Sequence, residues 1–492
     1  MAQELIPTIG LEIHAELKTR SKMFCGCANN PDEEKPNALV CPVCMGHPGT
    51  LPVLNFEAIR HVLRVGHALN AKIADYTEWD RKNYFYPDIP KGYQISQYAY
   101  PLVEGGELAG VKITRIHLEE DTAQSTHDIH EKSLVNFNRA GVPLMELVTE
   151  PVIHDSETAV RFAEELQLVL RYLGAGDAHM EKGHMRVEAN ISVATREDTD
   201  NKKFGTKTEV KNLNSFRAVE RAIAYEIKRQ SDLIARGEKV VQETRGWDDS
   251  TQTTFSQRKK ESSHDYRYFP DPDLPHMMIS EITEFKPETL RATLPELPWE
   301  KRNRYAQSFG LKPEEVEVFV TIAELGKFFE KVAQLLDNKS EAVKLSVNYI
   351  LTDYVGFIKK DFGENIAQGI DKVSPERMAD IIKLIQSGKL SSRGAKDLLK
   401  YLYDTLEDKS LPPRTTEEIA QIQGLIQNSN EGELKAVCTT IVAANPTVVA
   451  DFKSGKASAL QFLLGQAMKT VKASGSSANP ELLRKILTEL LS

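Results

Sequence analysis

The sequence predicts an α+β protein, with a mostly antiparallel sheet in roughly the first 270 residues and helices in the rest. Polar and apolar residues alternate over several segments of the first part, which is typical of strands with one buried face. In the second part, apolar residues recur at helical spacing. A length of 492 residues predicts about two to four domains.

Composition and charge narrow the class of protein. Hydrophobic residues make up 41% of the chain and charged residues 27%, as in soluble globular proteins. The apolar runs are far shorter than the roughly 20 residues that span a bilayer, and the N-terminus lacks a signal-peptide pattern. We therefore expect a cytoplasmic protein without membrane contact. The net charge of −9 argues against a surface covered with nucleic-acid-binding residues but permits a local basic patch.

The first predicted strand is Gly10-Leu-Glu-Ile-His-Ala-Glu-Leu-Lys18. Its alternation places Glu12, His14 and Glu16 on one face, with neighbours about 7 Å apart. A carboxylate and an imidazole at this spacing can bind one hard cation between them, so Glu12 and His14 form half of a candidate metal site. The alternative is an ordinary solvated strand face.

Later strands add further acids. The segment 113–121 ends near Glu119 and Glu120, and alternation does not decide which of the two faces the first strand. Glu146 lies inside the apolar run Pro143-Leu-Met-Glu-Leu-Val-Thr-Glu150. A lone carboxylate in such a run is costly unless it is paired or metal-bound, which makes Glu146 the most informative acid. Two more polar-faced strands are predicted at 187–193 and 207–211.

Helices are predicted from apolar periodicity and capping residues. Asp155 or Ser156 can cap the first of them, and Ser374 followed by Pro375 opens a later one with an N-cap and a first-turn proline. The predicted helices are 156–173, 215–236, 314–336, 341–362 and 375–387.

Four of the five cysteines form two short-spaced pairs, Cys25-Gly-Cys27 and Cys41-Pro-Val-Cys44. Two such pairs on either side of a loop, in a reducing compartment, are typical of tetrahedral zinc coordination by thiolates. We predict a structural zinc site, with four reduced thiols as the main alternative and a redox pair as a weaker one. Cys438 is predicted to be a buried small hydrophobic residue.

The segment 80–97 is rich in aromatic and amide residues and contains the bases Arg81, Lys82 and Lys91. Such a loop can hold an anionic ligand between a base and an aromatic plane. The alternative is a core aromatic cluster with solvated lysines. The aromatic residues 84–86 are consecutive and cannot all be buried on one strand face, which favours the ligand-binding interpretation.

Familiar nucleotide-binding motifs are absent from the sequence. It has no Walker G-x-x-x-x-G-K-[ST], and Gly174-Ala-Gly176 lacks the third glycine and the preceding strand of a dinucleotide fingerprint. Any nucleotide is therefore expected on a sheet face.

Proline-rich segments mark the predicted domain boundaries. One extends from Phe269 to Trp299, and the second is Leu411-Pro-Pro-Arg-Thr415. Between Phe452 and Ser474 the tail contains lysines and no acid, which indicates either a solvated helix face or a phosphate-binding surface. The predicted domains are 1–292 (catalytic, with the zinc loop), 293–408 (helical) and 409–492 (helical tail).

A set of motifs follows in order along essentially the whole chain. The motifs are Gly10-Leu-Glu-Ile-His, the cysteine pairs, Asp80-Arg-Lys-Asn-Tyr-Phe-Tyr-Pro-Asp, His117-Leu-Glu-Glu-Asp, Asn136-Phe-Asn-Arg-Ala-Gly-Val-Pro-Leu-Met-Glu146 and Lys211-Asn-Leu-Asn-Ser-Phe216. Together they closely resemble the GatB family of tRNA-dependent amidotransferase subunits. One departure is Asn136, where the family usually has Asp; it is not a predicted metal ligand.

The resemblance implies a glutamine-synthetase-like cradle and a kinase and transamidase activity that uses ATP and Mg²⁺. The family phosphorylates the side-chain carboxylate of Glu-tRNA(Gln) or Asp-tRNA(Asn), and ammonia then displaces the phosphate. Lys82 matches a basic residue that lines the site, and Arg81 and Lys82 are the predicted cofactor-binding residues. Matched by position, the magnesium ligands are Glu12, His14, Glu120 and Glu146, which with Lys82 form the predicted catalytic set.

The resemblance also implies a heterotrimer with an amidase-type A subunit, which supplies ammonia, and a small C subunit, acting on tRNA(Gln), tRNA(Asn) or both. Because the family's tail binds the tRNA body, the predicted tRNA-binding residues are Lys453, Lys456, Lys469 and Lys472.

Other hypotheses remain open. One is a stand-alone ATP-dependent carboxylate–amine ligase that acts on a small molecule, but such an enzyme does not need a basic helical tail. Another is a zinc-bearing RNA adaptor without catalytic activity, which would not explain Glu146 and the acids around it. A paralogue restricted to tRNA(Gln) carries a large extra domain, for which 492 residues leave no space.

Overall fold

The computed structural model describes residues 4–127, 132–259, 266–338, 340–405, 414–428, 430–473 and 477–491. The chain divides into two compact units, Met1–Pro298 and Trp299–Ser492. The first contains the extended sheet and the second is mainly helical, so the predicted α+β order is confirmed. The predicted boundary between helical domain and tail, at 408/409, lies outside the described residues.

The strands of the first unit come from the segments in which polar and apolar residues alternate, together with shorter hairpins. They are β1 (Leu5–Glu16), β2 (Lys72–Ile73), β3 (Tyr76–Thr77), β4 (Asp80–Asn83), β5 (Tyr93–Ser96), β6 (Val103–Glu104), β7 (Glu107–Leu108), β8 (Val111–Glu120), β9 (Gln124–His127), β10 (Ser133–Asn136), β11 (Pro143–Thr149), β12 (Met185–Thr195), β13 (Thr208–Leu213), β14 (Glu243–Asp248), β15 (Thr253–Lys259), β16 (Phe269–Pro270) and β17 (Met277–Met278). Its helices are α1 (Phe56–Ala68), α2 (Ser156–Tyr172), α3 (Arg196–Asp200), α4 (Phe216–Ala235) and α5 (Pro287–Arg291).

Among the described residues, ten strands form the main sheet in the order β15-β14-β13-β12-β1-β11-β8-β6-β2, with β7 paired to β8. Neighbouring strands are antiparallel except β13 and β14, which are parallel. The central strand β1 confirms the predicted alternation, because Leu11 and Ile13 are buried whereas Glu12 and His14 are partly exposed. The sheet therefore has one apolar face and one polar face.

Strand register determines which polar residues meet. His14 in β1 lies opposite Glu146 in β11 and opposite Arg186 in β12. Glu146 in turn lies opposite His117 in β8. Since opposite residues in antiparallel strands point to the same face, these side chains converge from four strands.

Helices cover the apolar face of the sheet. α2 and α4 pack against each other and against β1 and β12, and α1 packs against β8. The Asp155 carboxylate accepts the Thr158 N–H at the start of α2, and Ser215 caps α4 in the same way. Both caps satisfy backbone donors that the first helical turn leaves unpaired, so the predicted helices at 156–173 and 215–236 are confirmed.

The second unit is mainly helical over its described residues. Its described elements are α6 (Pro298–Phe309), α7 (Pro313–Thr321), α8 (Ala323–Leu335), α9 (Ser340–Asn348), α10 (Val355–Phe362), α11 (Pro375–Gln386), α12 (Ser392–Asp404), α13 (Thr416–Ile422), β18 (Gln427–Asn428), α14 (Glu431–Ala444), α15 (Pro446–Lys453), α16 (Ala457–Ala473), β19 (Ser477–Ala478) and α17 (Pro480–Leu491). None of the helices built from described residues is long and apolar enough to cross a membrane.

One predicted helix is wrong in its continuity. The segment 314–336 forms α7 and α8, separated at Ile322, whose φ of −106° and ψ of 88° are not helical. The break lets α8 pack closely on the end of α7, where a Cβ added to Gly326 would lie 2.4 Å from the Phe319 carbonyl oxygen. Apolar spacing continues through both helices and did not reveal the break.

The segment 341–362 is helical as predicted, with a π-helical stretch at Tyr349–Tyr354 between α9 and α10. Near the C-terminus, α14, α16 and α17 pack around a core that includes Leu434, Leu463 and Leu487. Cys438 is fully buried in this core, which confirms the prediction for that residue.

Candidate active site and cysteine cluster

The polar face of the main sheet forms the floor of a cavity of about 330 Å³. The β4–β5 hairpin and residues from the turn after β8 line it above the sheet. The cavity is lined by Glu12, His14, Lys82, Tyr84, Tyr86, Gln94, Glu119, Asp121, Thr122, Arg139, Leu144, Arg186, Glu188, Lys211 and Tyr266. Acidic and basic side chains share this lining, which suits a ligand that carries both phosphate groups and a cation.

A cluster of acids around His14 forms the centre of the floor. The His14 Nε2 atom lies 3.5 Å from Glu146 Oε2, 3.6 Å from Glu119 Oε1 and 3.8 Å from Glu12 Oε1. Ligand atoms of Glu12, His14 and Glu146 all lie within 4.8 Å of one another. The structure therefore brings together three of the four predicted magnesium ligands, and this donor set fits a hard divalent cation.

His117 extends the same cluster. Its Nε2 atom lies 3.3 Å from Glu146 Oε2, and His117, Glu119 and Glu146 form a second group of closely spaced ligand atoms. In the described part of the chain, the buried Nδ1 atoms of His14 and His117 have no hydrogen-bond partner. Buried polar atoms without partners are uncommon in folded proteins, and a bound ligand would satisfy them.

The electrostatics of the cluster follow from burial and close charges. Burial and the negative charge of Glu146 raise the pKa of Glu12 to about 7. Burial opposes protonation of His14, but the hydrogen bond and charge of Glu146, together with Glu119 and Glu12, raise its pKa to about 9. A cation held by these carboxylates would supply positive charge in place of the protons.

Glu120 is placed differently from the prediction. Within β8, His117 and Glu119 share the polar face, whereas Glu120 shares the opposite face with Ile116 and Leu118. Its carboxylate accepts hydrogen bonds from the Lys91 ammonium and from the Ile95 N–H, the latter at 2.9 Å. Glu119, not Glu120, therefore joins the cluster, a correction that follows from the strand register, because His117, two residues before Glu119, lies opposite Glu146.

Lys82 lines the cavity beside the cluster. Its Nζ atom lies 3.9 Å from Glu119 Oε2 and 5.3 Å from the centre of the Tyr266 ring. Burial opposes the charge, but Glu119, Tyr268 and Glu146 raise the pKa of Lys82 well above its ordinary value. The cavity therefore contains a buried cation that remains charged over the physiological range.

Arg81 was predicted to bind the cofactor, but it is not among the residues that line the cavity. Its guanidinium donates to Asp271 and Asp273 at 2.9 Å each, and lies 4.4 Å from the centre of the Tyr93 ring. Successive residues of β4 point to opposite sides, so Lys82 faces the cavity while Arg81 holds the chain segment at Asp271.

The aromatic segment is divided between the cavity and solvent. Tyr84 and Tyr86 line the cavity, whereas Phe85 is 86% exposed. This confirms that the three consecutive aromatic residues do not share one buried face.

Other cavity residues were not singled out as site residues from the sequence. Arg186 donates two hydrogen bonds of 3.0 Å to the buried Asp121 carboxylate. Lys211 Nζ lies 2.7 Å from Glu188 Oε2. Burial opposes the ionised form of Asp121, but the charges of Arg186 and Arg139 lower its pKa to about 2. The alternation of 187–193 and 207–211 was the available signal, because it placed Glu188 and Lys211 on polar faces.

The four clustered cysteines meet as predicted. Their sulfur atoms lie within 4.8 Å of one another. The Cys41 N–H donates to Cys44 Sγ at 3.1 Å. The pKa of Cys44 is lowered to about 5 by hydrogen bonds from Cys25 and from the Cys41 amide, and by the nearby positive charge of Lys22. The cluster thus stabilises a thiolate and fits a tetrahedral zinc ion.

Comparison with known proteins gives full-length matches. A family model described as "GatB/GatE catalytic domain" matches residues 7–284, and one described as "GatB domain" matches residues 327–491. The B subunit of the aspartyl/glutamyl-tRNA(Asn/Gln) amidotransferase of Carboxydothermus hydrogenoformans is 40% identical over 99% of both chains. The proteins of the same name from Brevibacillus brevis (43% identical, 98% of both chains) and Thermotoga petrophila (42%, 99% of this chain and 98% of that one) match similarly.

The chain belongs to the GatB family. The catalytic-domain model spans the cavity residues and the four clustered cysteines, so both regions lie within the part of the chain that the family shares. The resemblance inferred from the motifs is therefore confirmed.

The second GatB model covers the lysine-bearing tail. Lys453 and Lys469 are exposed, and Lys456 Nζ lies 2.8 Å from Asp451 Oδ1. Lys472 belongs to α16, and its side chain lies outside the described part of the structure. Nothing in this geometry tests tRNA binding, which stays a prediction.

Proposed function

We propose that this chain is the GatB component of a glutamine-dependent tRNA amidotransferase. It uses ATP to phosphorylate the side-chain carboxylate of Glu-tRNA(Gln), Asp-tRNA(Asn) or both, and ammonia then displaces the phosphate to give the amide. The observation that carries the proposal is the cavity, where a cluster of hard ligands and several fixed cations share one lining within a chain that matches the family end to end. The sheet would act as a glutamine-synthetase-like cradle.

Magnesium is the proposed metal of the cavity, held by Glu12, His14 and Glu146. Bound there, it would offset charge on the phosphates of ATP and on the transferring phosphoryl group. Glu119 takes the place that was predicted for Glu120, since it lies 3.6 Å from His14. His117 hydrogen-bonds Glu146 and holds that carboxylate toward the other ligands.

The bases of the cavity have separate proposed roles. Lys82, whose ammonium lies 5.3 Å from the centre of the Tyr266 ring, would bind phosphate oxygens from the cavity wall. Arg186 is held in one orientation by its two hydrogen bonds to Asp121, so its outward-facing N–H groups are preorganised for a carboxylate or phosphate. Tyr84 and Tyr86 can exclude water from the bound acyl group.

Zinc is the proposed ligand of the cysteine cluster. Four sulfur donors and a stabilised thiolate suit a closed structural site. We assign zinc a structural role because the cluster presents no acid or base to the substrate cavity within the described residues.

The chain is proposed to work with an amidase-type A subunit, which releases ammonia from glutamine, and a small C subunit. The exposed lysines of the tail would bind tRNA phosphates without reading bases. These partners are consistent with the names of the relatives, each of which is one subunit of an amidotransferase.

The test uses the chain assembled with its A and C partners, ATP, Mg²⁺ and ammonium chloride. Ammonium replaces the product of the glutaminase, so amide formation depends on this subunit. We expect ATP-dependent conversion of Glu-tRNA(Gln) to Gln-tRNA(Gln), and a parallel reaction with Asp-tRNA(Asn) shows which tRNA is used. Retained tRNA binding with no product would contradict the proposal and favour an RNA adaptor; product from free glutamate would favour a small-molecule ligase.

A further inference from the structure

Lys22 is a fully buried cation that lies outside the cavity. The residue is 0% exposed. Its Nζ atom donates to the Ala140 carbonyl oxygen at 2.7 Å and to the Phe137 carbonyl oxygen at 3.2 Å, and lies 3.9 Å from Cys44 Sγ. Burying an ammonium is costly unless its donors are satisfied near negative charge. The buried ammonium is therefore stabilised by these three acceptors, two carbonyl oxygens and one sulfur.

The carbonyl acceptors belong to the turn 137–142, between β10 and β11. Gly141 in this turn has a φ of 85°, and a Cβ added there would lie 3.6 Å from both Cys44 Cβ and Lys22 Cδ. The Met23 N–H donates to the Gly141 carbonyl oxygen at 2.7 Å. The turn, the cysteine cluster and the chain after β1 thus pack directly against one another.

The same turn supports the cavity wall. The Gly141 N–H donates to the Asp121 carbonyl oxygen at 2.9 Å, and the Asp121 N–H donates to the Val142 carbonyl oxygen at 2.8 Å. Arg139 Nε donates to the Thr122 carbonyl oxygen at 3.0 Å. Asp121, Thr122 and Arg139 all line the cavity. A displacement of the turn therefore moves the carboxylate that orients Arg186.

We propose that Lys22 is a positioning residue that couples the four-cysteine cluster to the wall of the substrate cavity. Four thiolates around a divalent cation carry a net charge of about −2, and the Lys22 ammonium offsets part of it. The same ammonium holds the turn 137–142 against the cluster through two carbonyl oxygens. That the cavity binds the substrate rests on the proposed function, whereas the coupling rests only on the contacts of Lys22.

The decisive variant is Lys22→Met, which keeps the length of the side chain and removes the ammonium. We expect zinc affinity, measured by competition with a chromogenic chelator, to fall about 10- to 100-fold, as for other residues that orient metal ligands. Hydrogen exchange followed by mass spectrometry should be faster in peptides covering 118–123 and 137–142. Exchange in β1 and β12 should not change.

Zinc removal supplies a second, independent measurement. Chelation of zinc from the wild-type chain should accelerate exchange in 137–142, because the four sulfurs are no longer held together and most of them bind protons, which weakens the attraction on Lys22. In Lys22→Met the same treatment should add little, since the link is already broken. If the variant does not fold, the wild-type measurement decides: faster exchange in 137–142 supports the coupling, and unchanged exchange overturns it.

Lys91→Met is the matched control. Lys91 lines the same pocket as Cys25 and Cys44, but its ammonium pairs with Glu120. We expect unchanged zinc affinity and unchanged exchange in 137–142. Wild-type zinc affinity in Lys22→Met, or a wild-type chain that binds no zinc, overturns the proposal. Because none of these readouts uses amide formation, a failed ammonium assay bears on the proposed function alone.

Discussion

Glu119 and Glu120 are consecutive residues of β8, yet they belong to two different regions. The Glu119 carboxylate lies 3.6 Å from His14 in the open cavity, whereas Glu120 lines a separate pocket of about 110 Å³ with Cys25 and Cys44. The cavity collects oxygen and nitrogen ligands from strands far apart in sequence. The cysteine cluster uses two local pairs on loops. The difference fits the two proposed roles, phosphoryl-transfer chemistry in the cavity and structural support by the cysteine cluster.

The largest effect is expected from a variant that disrupts only the ligand cluster of the cavity. Glu146→Gln removes one ligand charge with little change in volume, so ATP-dependent amide formation with ammonium should fall about 1000-fold or more. Thermal stability and tRNA binding should remain close to wild type. Glu104→Gln, the same change at an exposed carboxylate of β6, should be fully active. Wild-type turnover by Glu146→Gln would remove this residue from the mechanism.

A pair of variants tests the boundary between the two regions. Glu119→Gln should lower amide formation about 100-fold, because it removes charge next to His14 and Lys82. Glu120→Gln should instead lower the free energy of unfolding by about 1–3 kcal/mol, because it leaves the Lys91 ammonium partly buried without its partner. Steady-state kinetics and denaturant unfolding distinguish them. The reverse pattern would restore Glu120 as the metal ligand.

Loss of the cysteine cluster should affect stability more than chemistry. Cys41→Ser removes one thiolate, so bound zinc measured by atomic absorption should disappear and the melting temperature should fall by roughly 5–10 °C. Amide formation at low temperature should stay within about tenfold of wild type if the cluster acts only through structure. Cys438→Ala, in the separate tail core, should retain zinc. A larger loss of activity than of stability would contradict the structural role.

The smallest effect is expected from the tail. Lys469→Gln should weaken tRNA binding about threefold and lower the salt dependence of binding by about one unit of slope, because it removes one phosphate contact. Filter binding at several salt concentrations measures both. Lys485→Gln, at an exposed lysine of α17 near Glu489, is the control and should bind normally. Equal effects of the two variants would indicate non-specific charge.

Local sequence pattern was enough to predict the strands that bear Glu12, His14 and Glu146, the capped helices, and the meeting of the two short-spaced cysteine pairs at one site. It was not enough for the helix break at Ile322, because the apolar spacing continues through the break. It also could not show that Arg81 turns away from the cavity, since Arg81 and Lys82 are adjacent bases and only the position of Asp271 decides which one faces the ligand.

The sequence by itself determined which residue types lie on each strand face, because side chains alternate along a strand whatever its neighbours are. It also determined the family, through motifs that follow one another along the whole chain. Only the tertiary structure decided which faces meet. The register that sets Glu146 opposite both His14 and His117 depends on contacts between segments distant in the chain, and the same register brings Glu119 into the cavity and turns Glu120 toward the cysteines.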